Sequence, residues 1–175
     1  NWAVKTIKEL LEGRTGLVAP DGQDIFASKF TYLRAAGDDA ETTYRAILET
    51  VLRAPASGGL RLCALRGREG ELGLKAGGAE DYFGLIYIGD VNKFKNLVEE
   101  DDSGITLEED IVADSLFAGI NEPETTIEIL IGAKKFMEGW NSWRVSNMGL
   151  LNIGRNEGAQ IIQLFGRGVR LRGMD

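Results

Sequence analysis

Phe83-Gly84-Leu85-Ile86-Tyr87-Ile88-Gly89-Asp90-Val91 opens with an apolar run of strand length, breaks at Gly-Asp, and leads into a helical stripe of Val91, Phe94, Leu97 and Val98. A short apolar run bounded by turn residues and followed by a 3.6-residue period reads as a buried strand feeding a helix. The same grammar continues downstream. Thr106 and Glu109 have the spacing of a capping box, which predicts a second helix carrying Leu107, Ile111, Val112 and Leu116. Ile127 to Ile131 predicts another buried strand, Met148 to Ile153 a third, and the stretch around Gln163 a closing helix. No strand is evident between the helices near Val98 and Leu107. Alternation of this kind predicts an α/β fold with a mostly parallel sheet flanked by helices. Ligands of such sheets gather at the carboxyl ends of the strands. Here those ends are Gly89-Asp90, Gly132-Ala133-Lys134-Lys135 and Gly154-Arg155.

Upstream, Leu60 to Leu65 and Glu71 to Lys75 flank Gly67-Arg68-Glu69-Gly70, the pattern of a β-hairpin. Before it, Ala54-Pro55-Ala56-Ser57-Gly58-Gly59 is a Pro/Gly/Ser linker without periodicity and marks the best boundary in the chain. The expected division is a helical extension or insertion over residues 1–58 and the α/β unit over 59–175. Three apolar stripes predict three helices in the first part: Ile7, Leu10 and Leu11, then Phe26, Phe30 and Leu33, then Tyr44, Ile47, Leu48, Val51 and Leu52. Pro20-Asp21-Gly22 predicts a turn after the first, and Asp38 with Glu41 a capping box for the third.

Composition removes whole classes of chemistry. The 175 residues are 43% hydrophobic, enough to bury a core. They contain no histidine and one cysteine, Cys63, which leaves no Ser-His-Asp triad, no Cys-His nucleophile, no common zinc site and no internal disulfide. Apolar runs fall short of a membrane span, so a cytoplasmic protein is expected. The formal charge is −7, unevenly spread. No basic residue lies between Lys95 and Lys134, whereas the part from Gly132 onward carries seven Lys and Arg against three carboxylates. A local field of that sign steers an anionic ligand more than the net charge does.

Within that basic part, Gln163-Leu164-Phe165-Gly166-Arg167-Gly168-Val169-Arg170 places an amide and two guanidinium groups at i, i+4 and i+7. On a helix these three side chains fall within an arc of about sixty degrees, a face suited to an anion. Gly166 and Gly168 would each cost such a helix about 1 kcal/mol relative to Ala, which points to close approach of the backbone to a ligand or a neighbouring lobe. The plainer alternative is a solvated face opposite Ile161, Ile162, Phe165 and Val169.

The Q-x-x-G-R-x-x-R pattern, preceded by an apolar strand and a Gly-rich loop, resembles motif VI of superfamily 2 helicases of the DEAD/DEAH type. Ile129 to Asn141 is similar to motif V of the same superfamily. Gly139 matches that motif's glycine, while Ala133 stands where Thr is usual and Asn141 where Asp is usual. The Glu-Gly-Trp-Asn wording is closer to the helicase subunits of type III restriction enzymes and related DEAD/DEAH-type proteins than to the RNA helicases. The resemblance covers Phe83 to Arg172.

The resemblance implies a RecA-like second helicase lobe in a longer ATP hydrolase. Two such lobes close over ATP and Mg2+. Arg167 and Arg170 would then be arginine fingers, Gln163 would orient an arginine or the attacking water, and Gly139 and Asn141 would meet the nucleotide. Asn141 keeps an acceptor oxygen there but loses the charge. Lys134, Lys135 and Arg144 are candidates for DNA phosphates, although the two lysines read equally well as solvated surface. Trp140 and Trp143 would stack on bases or, more in keeping with common use, pack in the core or on the partner lobe.

Implied partners are DNA, the amino-terminal RecA-like lobe of the same parent, and a methyltransferase subunit. No Gly-Lys-Ser/Thr occurs, and no lysine has an acidic residue two positions before it. The chain alone is therefore not expected to hydrolyse ATP or cut DNA, and it reads as a piece of a longer protein. A degenerate docking module is the competing reading, favoured by Ala133 and Asn141. A dinucleotide-binding domain is disfavoured, because no G-x-G-x-x-G follows an early strand.

Overall fold

The computed structural model describes residues 2–54, 58–101, 103–132 and 142–149. Among the described residues nine elements follow one another: α1 Trp2–Glu12, α2 Thr31–Ala36, α3 Ala40–Thr50, β1 Leu60–Leu65, β2 Glu71–Ala76, β3 Gly84–Tyr87, α4 Val91–Glu100, β4 Thr106–Asp110 and β5 Ile129–Gly132. The strands form one mixed sheet in the order β4-β1-β2-β3-β5. β1 pairs antiparallel with β2 and parallel with β4, while β3 pairs antiparallel with β2 and parallel with β5. Four strands therefore run in one direction, and β2 alone opposes them. The chain is α/β, as its alternation predicts. Its hairpin is the middle of the sheet and no appendage.

The hairpin forms where its turn chemistry places it. Gly67 and Gly70 both take positive φ, and the Arg68 N–H donates to the Leu65 carbonyl at 3.1 Å. Register then sorts the side chains. Leu62 faces Leu74, and both lie on the side where Leu72, Ala76 and Phe83 are buried beneath Val91, Phe94 and Val98 of α4. Leu52 and Ala54 join that cluster, so the end of the helical part packs onto the sheet. On the opposite face Cys63, Leu65 and Leu85 pack under Tyr82, Ile120 and Ile127, with Leu116 and Phe117 at the margin. Turns of the segment 111–128 cover this second face. With both faces of the sheet covered, Leu72 and Leu85 are 0% exposed. Truncating either aliphatic side chain would remove about 2 to 5 kcal/mol.

Three local expectations are corrected. The capping box on Asp38 is displaced by one residue: the N-cap of α3 is Asp39, whose carboxylate accepts the Thr42 N–H at 2.7 Å. An Asp39→Ala change is expected to lower stability by about 1 kcal/mol and Asp38→Ala by much less. Equal urea midpoints for the two variants would refute the assignment.

The stripe Phe26, Phe30, Leu33 is helical only over α2. Phe30 sits at φ 55°, and the preceding turns satisfy their backbone through side chains. Asp24 accepts the N–H groups of Thr15, Gly16 and Phe26, and the Arg34 guanidinium donates to the carbonyls of Phe26, Ala27 and Lys29. The Pro20-Asp21-Gly22 turn forms as expected, with Gly22 N–H donating to the Ala19 carbonyl at 2.9 Å.

The largest correction concerns Thr106 to Leu116. No helix starts there. Thr106–Asp110 is β4, an edge strand in register with β1 from Arg61↔Thr106 to Leu65↔Asp110. It stands where the helix carrying Leu107 was expected, and it supplies after α4 the strand that the sequence does not show. Pairing with a partner some 45 positions away overrides a helical spacing that the local sequence happens to allow. Of the Met148 to Ile153 strand, Met148 and Gly149 lie outside any strand, and the rest falls outside the described residues.

Candidate functional site

Four co-directional strands end on one rim of the sheet. Leu65 of β1 is level with Asp110 of β4, and Tyr87 of β3 is level with Gly132 of β5. The β1–β2 turn, from Arg66 to Gly70, lies between these pairs. Gly70 is pressed against the exit of β3: its carbonyl accepts the Ile88 N–H at 2.8 Å, and a Cβ there would stand 2.7 Å from the Ile88 carbonyl oxygen. Two of the three strand ends named from the sequence thus meet on one rim, at Gly89-Asp90 and Gly132. Asp90 caps α4 by accepting the Lys93 N–H at 2.9 Å. Gly154-Arg155 lies outside the described residues.

So do most of the candidate residues. Gln163, Arg167, Arg170, Gly139, Asn141, Lys134, Lys135 and Trp140 fall outside the described residues. Arg144 is described and exposed. Its Nη1 donates to the Ile120 carbonyl at 2.9 Å, and its N–H to the Ser142 hydroxyl at 3.2 Å. One guanidinium donor is therefore committed to the segment covering the second face of the sheet. Trp143 is 55% exposed, so of the uses expected for it, core packing is excluded, while packing on a partner lobe and stacking on bases are untouched by this.

Beneath that second face lies a polar cluster invisible in the sequence. The Tyr82 hydroxyl donates to Asp110 Oδ2 at 2.6 Å, and its ring carries Lys75 Nζ at 4.4 Å from the centroid. The Cys63 thiol and Arg61 Nη1 each reach Glu108 Oε2 at 3.5 Å. Glu71, itself buried, accepts the Ser115 hydroxyl at 2.6 Å and the Phe117 N–H at 3.1 Å. These groups come from β1, β2, β4, the residues before β3, and the covering loop.

Their electrostatics are those of structure and not of attack. Burial, with the Glu108 carboxylate beside it, pushes the Cys63 thiol up, so it stays protonated and inert. Burial and the Asp110 hydrogen bond also push Tyr82 up. The Tyr82 hydrogen bond, followed by the N–H groups of Val112 and Ala113, holds Asp110 below the usual carboxylate range.

The sign of the pH effect follows from that last shift. A carboxyl whose folded pKa is depressed contributes stability above its unfolded value, near 3.9, and loses it as pH falls through the folded value. Hydrogen exchange at the Val112 and Ala113 amides is expected to lose protection below about pH 4 in the wild type, measured against the intrinsic rate. In an Asp110→Asn variant the protection should be weaker than in the wild type above that pH and should lack that step. Protection that is independent of both pH and Asp110 would refute the anchoring role.

Elsewhere the candidates are weak. A shallow depression of about 410 Å³ between α1 and α3 is lined by Lys8, Leu11, Glu12, Asp39, Ala40 and Glu41, and Asp39 there is already occupied as a helix cap. Among the described residues no group of three His, Cys, Asp or Glu side chains could hold a metal, and no helix is long and apolar enough to cross a membrane.

The fold and rim define an α/β unit with a mixed sheet whose polar, glycine-rich end is formed by co-directional strands. Comparison with protein-family models, with curated proteins and with solved structures gave no match.

Proposed function

We propose that this chain is the second motor lobe of an ATP-dependent DNA helicase or translocase, resembling the type III restriction helicases. The observation that carries the reading is the Gln163, Arg167, Arg170 pattern placed after the strands of an α/β sheet. The supporting context is a five-stranded sheet with four strands in one direction, compatible with a RecA-like lobe.

In this reading the first lobe of the parent binds ATP and Mg2+, because this chain has no Gly-Lys-Ser/Thr with which to cradle the phosphates. Bound ATP supplies the γ-phosphoryl group. Arg167 and Arg170 reach across the cleft and place fixed positive charge where negative charge spreads in the transition state. A finger of this kind contributes on the order of 10³ to 10⁵ in kcat, or about 4 to 7 kcal/mol. Arginine suits the role because its planar fork holds phosphate oxygens bidentately. Gln163 orients one of the two guanidinium groups or the water. Gly139 and Asn141 meet the nucleotide from the motif V side, and Lys134, Lys135 and Arg144 meet DNA phosphates. Arg144 does so with the donors that its bond to Ile120 leaves over.

ATP turnover by the intact parent, with and without DNA, tests the proposal, and the decisive variant is Arg170→Ala. A second reading, a degenerate lobe kept for docking to a methyltransferase or another partner, is favoured by Ala133 and Asn141 standing where motif V has Thr and Asp. DNA-independent silence of the parent's ATPase would select it.

A further inference from the structure

Among the described residues, half of one sheet face is left uncovered. On the face that carries Leu62, Leu72 and Leu74, α4 and the end of the helical part pack over β1 and β2. Ile86 of β3 belongs to the same side, and the register sets Ile131 of β5 next to it and Ile129 next to Gly84. Alternation along β5 turns both isoleucines to this face, where Ile129 is 37% and Ile131 50% exposed. Leu97 of α4 walls the strip. At a hundred degrees per residue Lys95 and Leu97 leave that helix on opposite flanks. Lys95 Nζ meets Glu109 of β4 at 3.4 Å, so Leu97, 54% exposed, looks across β3 toward β5.

The other face of the sheet is taken. Residues of the segment 111–128 pack on it, and Arg144 Nη1 donates to the Ile120 carbonyl of that cover. Residues 150–175 follow, and in them Ile161, Ile162, Phe165 and Val169 share one side of the helix that the sequence predicts, within an arc of about a hundred degrees.

We infer that this segment, centred on Phe165, lies as a helix on the uncovered half-face, with its apolar stripe against Ile86, Leu97, Ile129 and Ile131. Three observations select it over a second chain. Crossovers between co-directional strands keep one hand. α4 carries the chain from β3 to β4 over the first face, and the segment 111–128 carries it back to β5 over the second. A chain returning from the β5 edge across the sheet moves in the sense of α4 and so runs over the first face.

Reach is sufficient as well. The stretch from Gly149 to Ile161 extends by up to about 3.3 Å per residue, and the rise from Ile161 to Val169, about 12 Å, exceeds the roughly 7 Å between Ile129 and Ile131 along β5. The third observation is the pair of glycines. On a helical wheel Gly166 and Gly168 flank the apolar stripe on either side, which lets the backbone come down onto the strands where side chains would hold it off. Gln163, Arg167 and Arg170 then project away from the sheet. The inference does not depend on the motor-lobe reading, and ATP turnover plays no part in its test.

The experiment uses the intact parent with Ile131→p-benzoylphenylalanine, irradiated and then digested with trypsin. The expected product joins the peptide of residues 96–134 to that of residues 156–167 of the same chain. Val112→p-benzoylphenylalanine, at a rim residue 86% exposed, should give no such product. Hydrogen exchange gives a second reading. Ile131→Ser and Phe165→Ser are each expected to speed exchange of the amides 161–169 about tenfold, and together by less than the product of the two, because residues in contact are not additive. Val112→Ser should leave these amides unchanged, and unaltered exchange in α3 shows that the fold persists.

Irradiation without the 156–167 product overturns the inference, whether the link runs to another segment, to a second copy, to a partner chain or to nothing. So does exchange at 161–169 that ignores Ile131→Ser.

Discussion

Arg170→Ala in the intact parent is expected to lower DNA-stimulated ATP turnover by at least about 10³, while the Kd for DNA stays within about twofold. The split follows from where the guanidinium acts. A group that meets charge appearing only in the transition state changes kcat and kcat/KM together, and it contributes little to holding a strand bound elsewhere on the lobe. Arg170→Lys should not restore the rate, because the ammonium keeps the charge but loses the planar fork. Turnover in Arg170→Ala equal to that of the wild type would end the motor-lobe reading. A parallel fall in DNA affinity would instead mean that the side chain belongs to the strand-binding surface.

Gly73→Ala carries a large expected effect on stability, about 3 kcal/mol by the usual range for overpacking combined with the loss of a charge-assisted hydrogen bond. Gly73 sits mid-strand in β2, between Cys63 and Leu85. A Cβ there would stand 2.3 and 2.4 Å from two atoms of the Tyr82 ring and 3.2 Å from Leu116 Cδ1. The ring has nowhere convenient to go, since its hydroxyl is bound to Asp110 and Lys75 lies over its face. Moving it releases Asp110, and with it the turn that holds Ile111 and Val112. Gly78→Ala, with no atom within 4 Å of the new methyl group, is the matched control and should leave the urea midpoint unchanged. A Gly73→Ala protein as stable as wild type would show that the ring is not tied down as its neighbours indicate.

These two predictions draw on different kinds of information. The arginine pair is legible from the sequence, because its spacing is a property of a few adjacent residues. The crowding at Gly73 is not, because the ring that fills the space above it arrives from a segment nine positions on and crosses two strands to reach Asp110. The meeting of the β1–β2 turn with the exposed Ile111 and Val112 is equally hidden. Arg68 is visible as part of a turn, and Ile111 and Val112 read as one stripe of a helix. Only the register of β1 with β4 sets them beside one another. A cue does exist in the run Leu107-Glu108-Glu109-Asp110, since charged side chains are a common device of edge strands.

By itself, the sequence determined what short-range physics controls. The Gly-Arg-Glu-Gly turn made a hairpin of Leu60–Leu65 and Glu71–Ala76, Gly-Asp stopped β3 and capped α4, and the lack of histidine in these 175 residues leaves them no Ser-His-Asp triad or Cys-His nucleophile. Tertiary structure decided what depends on partners far along the chain. It put the hairpin at the centre of the sheet and turned an apparent helix into β4. It also enclosed carboxylates, a thiol and a tyrosine under one face. Backbone groups and carboxylates taken from water need partners wherever the chain can supply them. Here those partners lie tens of residues away, beyond the reach of any local pattern.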